Sequence, residues 1–483
     1  MDTQPHITKT ERVDDIPLLL AQMEKMQVAN LLDKHFPAHG NWQGLSLGQL
    51  VVVWLTYILS EGDHRLNQVQ HWVDGLLLTL SLCLALKDLR PLDCSDDRLA
   101  CVLSALGQDE AWERYEAEQN SHLLRTYDLN VRRVRVDTTT AKSYMPVSPD
   151  GLFQFGHSKE HRPDVPQLKI SQSALDPLGL PLTTTIVSGE CADDPLYIPE
   201  IRKVQKSLNQ RGVLHIGDCK MASLATRCYV AASQDYYLCP LSGVQMPNAE
   251  LERLLEPVWN KQQSLSPIYR PGEQADEKPE LLAWGFSDVV TRTAEYEDQV
   301  HTWQEQCLVV CSLKHAQSQT QALDARLEKA TQKLMRLNDK GRGKKQLDEN
   351  ALRDEVERIL AQYRVHGVLN VTYQQHSQTV HKRAYRQRPA QTLTVTDFTV
   401  AVSRNKTAYD EAVRQLGWRV YVCNDLNLSL NEAVLAYREE YLIERGFNRY
   451  RGKLLGLTPL YLNSTTRIKG LIRLLSIGLR ILC

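Results

Sequence analysis

The 483-residue chain lacks a surplus of charge of either sign, with a net charge of −1, so its overall composition announces no polyanionic partner. Paired-cysteine motifs are missing too. The 11 cysteines are odd in number and scattered, none forms Cys-x2-Cys, and Cys307 and Cys311 sit in an apolar, strand-like run. That pattern argues against a disulfide framework or a zinc ribbon and fits reduced, buried thiols. No apolar run is long enough to span a bilayer: the longest, residues 76–86 and 45–59, are too short or interrupted by polar residues, and the start has no signal-peptide pattern. A cytoplasmic protein without a membrane partner is expected. What is present is the apolar and charged content of an ordinary folded protein, in a chain long enough for about two to four units.

Residues 1–128 read as an all-helical N-terminal domain, with helical periodicity over 16–32, 45–60, 66–86, 98–106 and 110–127. Short helices with tight connections suit either a DNA reader or a plain bundle. Asp93, Asp96 and Asp97 precede an apolar helix and are explained as caps. From residue 129 to 241 the texture changes. Val131 to Val136 alternates like a strand and delivers Asp137; strand signals at 167–175 and 180–187 flank the turn Asp176-Pro-Leu-Gly179. A helix opened by Asp194-Pro195 then leads to a strand ending in Asp218, a helix over 222–232 and a strand over 236–241. This order predicts an α/β fold, a mixed sheet with flanking helices whose acidic residues meet at one edge.

Residues 242–415 read as an inserted α+β region. It begins with a Pro- and Gln-rich linker through Pro271, continues with a strand near 305–313 and helices over 315–337 and 349–363, and closes with strands over 368–375 and 392–402 and a helix over 406–416. The basic run Lys340 to Lys345 reads as a solvated helix connection. Residues 416–483 resume the sheet with Trp418 to Cys423 and end in basic helices, with eight Lys/Arg and no Asp/Glu from Arg445 onward. Such a one-sign tail suits phosphate contact or a solvated helix.

One helix signal dominates this last part. Ser429-Leu-Asn-Glu432 is a capping box, and Tyr437, Glu444 and Arg451 follow at intervals of seven. Seven residues fall about 20° short of two turns, so these three share a polar face with Glu440 and Asn448. Asp137, Asp218 and Glu444 would thus come from two strands and one helix onto one edge, where hard divalent cations could take their oxygens. Taken singly, Asp137 could cap a turn with Thr138 and Asp218 the helix beginning near Met221. His157 and His161, four apart, lack the order of a zinc-protease helix; Gly156 and Pro163 make the segment a loop in which Lys159 and Arg162 meet phosphate.

Asp137-Thr-Thr-Thr140, Gly156-His-Ser-Lys-Glu-His-Arg-Pro-Asp164, Gly217-Asp218, Gly417 to Val422 and Tyr437 to Arg451 together resemble the DDE transposases of bacterial insertion sequences. The likeness is to the group called sixteen-thirty-four, in the superfamily with a Tyr-x2-Arg-x3-Glu-x6-Lys signature. It implies a ribonuclease-H-like catalytic core interrupted by the insertion. It also implies Asp137, Asp218 and Glu444 as ligands of two Mg2+ ions, with Mn2+ able to substitute. Tyr437 and Arg451 would contact DNA, joined by Lys159, Arg162, His157 and Arg445. The implied reaction is metal-dependent cleavage at the element ends and strand transfer into target DNA. Double-stranded DNA, as terminal inverted repeats and target, would be the partner of a homodimer in the bacterial cytoplasm. The alternative is a catalytically decayed or non-catalytic DNA-binding protein of the same fold. Two positions depart from the signature: Glu440 replaces its arginine and Arg451 its lysine, while Arg438 or Arg445 could supply the missing cation. The chain stops in a helical run, as a truncated copy would.

Overall fold

A computed structural model describes residues 10–159, 162–272, 274, 277–339, 347–383 and 390–483. The candidate His161 and the basic run Lys340 to Lys345 lie outside the described residues. Seven helices come first: α1 (Ile16–Lys25), α2 (Val28–His35), α3 (Leu47–Glu61), α4 (Leu66–Gly75), α5 (Leu77–Cys83), α6 (Asp96–Leu106) and α7 (Asp109–Thr126). The expected helix over 16–32 is two, because Gln27 adopts a left-handed conformation between them. The one over 66–86 also breaks, at Leu76.

Strands β1 (Arg133–Lys142), β2 (Gln167–Leu175) and β3 (Leu180–Ser188) follow, then α8 (Tyr197–Leu208), β4 (Leu214–Ile216), α9 (Leu224–Ala232) and β5 (Tyr236–Pro240). Next come α10 (Asn248–Trp259), β6 (Ser266–Arg270), β7 (Glu280–Tyr296) and β8 (Gln299–Ser312), followed by α11 (Leu313–Met335), α12 (Glu349–Tyr363), β9 (Leu369–Lys382), β10 (Gln391–Arg404) and α13 (Lys406–Arg414). The chain closes with β11 (Trp418–Cys423), α14 (Leu430–Arg438), α15 (Tyr441–Arg451) and α16 (Thr465–Ile481). The structure is mixed α/β, and its residues divide into two compact units.

The first unit comprises Met1–Gln245, Asp288–Cys307 and Tyr421–Cys483. Its mixed sheet runs β3-β2-β1-β4-β5-β11. The β1-β2-β3 meander is antiparallel, β4 and β5 are parallel to β1, and β11 is antiparallel to β5. The central helices of this unit are α3, buried along most of its length, and α16. The latter packs on α6, β3 and α3. Gly470 makes this approach possible, since a Cβ there would lie 1.9 Å from the Leu103 carbonyl oxygen. The basic tail is accordingly not a solvated stripe. Arg473 and Arg480 are buried, Arg473 donating to the Leu106 carbonyl at 2.8 Å and Arg480 to those of Pro181 and Leu182 at 3.0 Å each. Lys469 pairs with Asp109 at 2.8 Å, and the apolar residues of α16 leave these cations no other way to accompany the helix into the core.

The second unit comprises Met246–Ser287 and Leu308–Val420. Helices α11 and α12 form a hairpin closed by Leu323, Leu327 and Leu334 against Leu352, Val356 and Ile359. Strands β9 and β10 pair antiparallel over their whole length. The expected linker through Pro271 is instead α10 and β6. Pro247 stands at the N-cap of α10, and Pro257 lies inside it, where it gives up the bond to the Arg253 carbonyl and the helix ends two residues later, at Trp259.

Candidate active site

Strand β1 pairs with β2 along its full length, Asp137 opposite Gln172, but with β4 only from Arg133–Leu214 to Arg135–Ile216. It therefore does not end at Asp137, as its alternation suggested, but runs on to Lys142 because β2 continues to pair with it. Asp137 lies two residues beyond Arg135 and Asp218 two beyond Ile216, so the two aspartates leave neighbouring parallel strands at the same level. Between them β4 stops at Gly217, where a Cβ would come within 2.6 Å of Met221 Sδ and 3.0 Å of the Tyr197 ring. Any larger residue here would have to push the Met221 side chain and the Tyr197 ring aside.

Each aspartate has a local bond: the Thr138 N–H donates to Asp137 Oδ1 at 2.7 Å and the Lys220 N–H to Asp218 Oδ1 at 2.8 Å. The turn at Asp137 is thus a real interaction, whereas α9 begins at Leu224 and is capped by Ser223 rather than by Asp218, which bonds the turn before it; both bonds use Oδ1. Further groups reach in. Lys159 Nζ lies 3.0 Å from Asp137 Oδ1 and donates to the Thr138 carbonyl, and the Tyr197 hydroxyl donates to Asp218 Oδ1 at 2.6 Å.

The helix signal that begins at Ser429 is broken. The capping box forms, with Ser429 Oγ accepting from Glu432 N, but α14 stops at Arg438 and α15 begins at Tyr441. Between them the Glu440 N–H bonds the Tyr437 carbonyl and the Leu442 N–H the Glu439 carbonyl, tight three-residue turns in place of helical spacing. Glu439 and Glu440 occupy the break, unfavourable at the negative end of α14 and favourable at the positive start of α15, with Glu439 3.5 Å from Arg135. Tyr437 is therefore not on one continuous face with Glu444 and Arg451. It lines a narrow recess with Arg135, Asp137, Asp218 and Glu440, its ring 4.9 Å from that of Tyr421.

Outside this recess is a cavity of ≈ 410 Å³, lined by Asp137, Asp218, Glu440 and Glu444 and also by Lys159 and Arg451. Burial pushes the Asp137 carboxyl up, against the pull of the Lys159 ammonium. The Glu440 carboxyl is raised first by burial and then by the charges of Asp137, Glu444 and Asp218. Burial and the aspartates likewise raise the Tyr197 hydroxyl well above its ordinary value, so it stays a hydrogen-bond donor.

Other sequence candidates do not line the cavity. Arg445 donates to the Leu178 carbonyl at 3.2 Å, in the β2–β3 turn. Arg162 pairs with Asp164 at 2.8 Å, and His157 is exposed while its carbonyl accepts from Gln167.

No protein-family model and no curated protein matches the chain. Among solved structures, a piggyBac transposase synaptic complex with hairpin DNA aligns at 8% identity and a TM-score of 0.25. The alignment covers 60% of this chain and 61% of that one, and a likeness this slight carries no argument.

Four carboxylates at a partly dehydrated edge are, chemically, the oxygen donors that Mg2+ or Mn2+ takes. Among the described residues, however, no three His, Cys, Asp or Glu side chains are close enough together to hold one ion. The donors suit such a cation by type and not by their present spacing; one would have to draw them inward and displace the Lys159 ammonium from Asp137. Sequence reasoning missed Tyr197 and Arg135 altogether. Tyr197 falls in the first turn of a helix and Arg135 at an inward position of an alternating strand, and neither position carries a local signal of its partner.

Among the described residues, no helix is long and apolar enough to cross a membrane.

Proposed function

We propose that the protein is a DDE-type transposase with a ribonuclease-H-like core, which cuts DNA at the ends of an insertion sequence and joins them to target DNA. The observation that supports this most is the convergence of Asp137, Asp218, Glu440 and Glu444 on one cavity with Lys159 and Arg451 beside them. Opposed charges in that arrangement suit a phosphodiester and a divalent cation at once. Asp137, Asp218 and Glu444 would hold two Mg2+ ions, which when bound supply charge stabilisation to the attacking and leaving oxygens of a phosphodiester transfer. The chain's own groups prepare the site. Tyr197 fixes one oxygen of Asp218 so that the other faces the cavity; Arg451, a cation with fork geometry, steadies a phosphate. On DNA entry Lys159 moves from Asp137 to the backbone, exchanging one anion for another. His157, Arg162 and Arg445, all exposed, would meet phosphates beyond the cavity, and Tyr437 would order the strand near the recess. Two element ends call for a homodimer.

One observation favours a second reading. With Lys159 seated on Asp137 and a glutamate at the signature arginine position, the chain could be a DNA-binding relative that no longer cuts. Strand cleavage of a labelled duplex carrying the element's own ends separates the two. Cutting is expected with Mg2+ and not with EDTA, and is expected to fall at least about a hundredfold in Asp137→Ala and Glu444→Ala while gel-shift affinity stays within about twofold. Equal cutting by both variants would sink the carboxylate assignment. Binding with no cleavage by any of the three proteins would establish the second reading.

A further inference from the structure

The buried guanidinium of Arg135 lies two residues before Asp137 on β1 and is only 2% exposed. It grips both oxygens of Asp176, at 2.7 and 2.8 Å, in the β2–β3 turn. The same guanidinium donates to the carbonyl of Ala436 at 2.6 Å, near the end of α14, and lies 3.5 Å from Glu439. Because alternate residues of a strand share a face, Arg135 and Asp137 address the same layer, and both line the recess that Glu440 enters.

We propose that Arg135 is a positioning residue for the site. Its fork ties the α14–α15 junction, which carries Glu440 and leads to Glu444, at a fixed height over the strand that carries Asp137. Bidentate geometry gives the tether direction as well as strength: Asp176 takes Nε and one N–H of Nη2 and so orients the guanidinium plane, and the second N–H of Nη2 is then aimed at Ala436. The proposal rests for its catalytic meaning on the metal-dependent strand cleavage proposed above, the nuclease reading, since it concerns how the carboxylates of that reaction are held.

Removing Arg135 alone would leave Asp176 buried and unpaired, and such a variant could fail to fold. The informative protein is the double variant Arg135→Met, Asp176→Leu, which replaces the pair by apolar groups of similar size; Arg135→Lys, which keeps the charge but loses the fork, is the companion. Three readouts are needed: single-turnover cleavage with KM, Mn2+ binding by electron paramagnetic resonance, and amide hydrogen exchange. In the double variant the thermal midpoint is expected near wild type. The amides of Glu440 and Leu442 exchange at least about tenfold faster, Mn2+ binding weakens, and the cleavage rate falls roughly tenfold to a hundredfold with KM nearly unchanged. Arg135→Lys is expected to fall between. A stable double variant with wild-type cleavage, or with unaltered exchange at Glu440 and Leu442, overturns the positioning role while leaving the nuclease reading intact. A wild type that neither cuts nor binds Mn2+ overturns the nuclease reading, and the catalytic meaning of the tether with it, even where the exchange rates still report the contact.

Discussion

At the scale of single residues the site is a contest for charge. Lys159 serves Asp137 as an internal counter-ion. Replacing it with glutamine should therefore tighten Mn2+ binding in the absence of DNA, measured by titration under electron paramagnetic resonance, and weaken DNA binding in gel shifts. The carboxyls also set a pH dependence. Asp137 and Glu440 have raised pKa values, so the folded chain keeps protons that the unfolded chain has already released. Stability from this source is present at acid pH and is lost as pH rises from the ordinary carboxylate value, about 4, through the raised values. In EDTA the thermal midpoint of Glu440→Gln should thus gain on wild type as pH increases across that window, and Mg2+ should narrow the gap. A gap that shrinks with rising pH in EDTA would mean that Glu440 is not strained by its neighbours.

Between elements, α16 approaches α6 closely, backbone to backbone at Gly470. Gly470→Ala should destabilise the protein by about 1–3 kcal/mol, because the added methyl has no room unless the helices part; urea denaturation would measure it, and a neutral result would mean that the crossing is looser than it looks. This helix also shows what the sequence could and could not tell. Periodicity and turn residues located the β2–β3 hairpin almost to the residue, since Asp176-Pro-Leu-Gly179 is decisive local chemistry. They also placed α12 and the capping box at Ser429. They failed where the deciding partner is remote. Strand β1 extends past Asp137 because β2 is there to pair with it, and β7 has alternation too weak to stand out. The break at Glu439 and Glu440 lies beside Arg135, which is remote in the sequence. The basic residues of α16 looked solvated because nothing local reveals the Glu116 and Asp109 side chains that receive them. Of the candidate site, the sequence singled out Asp137 and Asp218 from strands read as ending there and Glu444 from a helix read as unbroken, and all three line one cavity, whereas Arg135 and Tyr197 are defined by contacts across the fold.

On the scale of the whole molecule, the first unit ties its last helix to α7 through buried polar groups. Arg480 in α16 lies 3.1 Å from Glu116 in α7, both fully enclosed, and also reaches Gln119 and two carbonyls of β3. Arg480→Ala should cost about 3–5 kcal/mol, since acceptors arranged for a guanidinium would be left buried without it; a thermal shift of only a degree or two would show that water can take its place. These pairs also set a timetable. Arg135 and the Ala436 carbonyl are 301 residues apart in the sequence. At roughly 5–20 residues per second of synthesis, the arginine precedes its acceptor by on the order of 15–60 s. Over that interval the nascent chain comes to hold two of the cavity's four carboxylates, Asp137 and Asp218, but neither the helices that bring the others nor the last core helix, so the half-built sheet lacks its cover. The protein can acquire its cavity only after nearly all of it has been made.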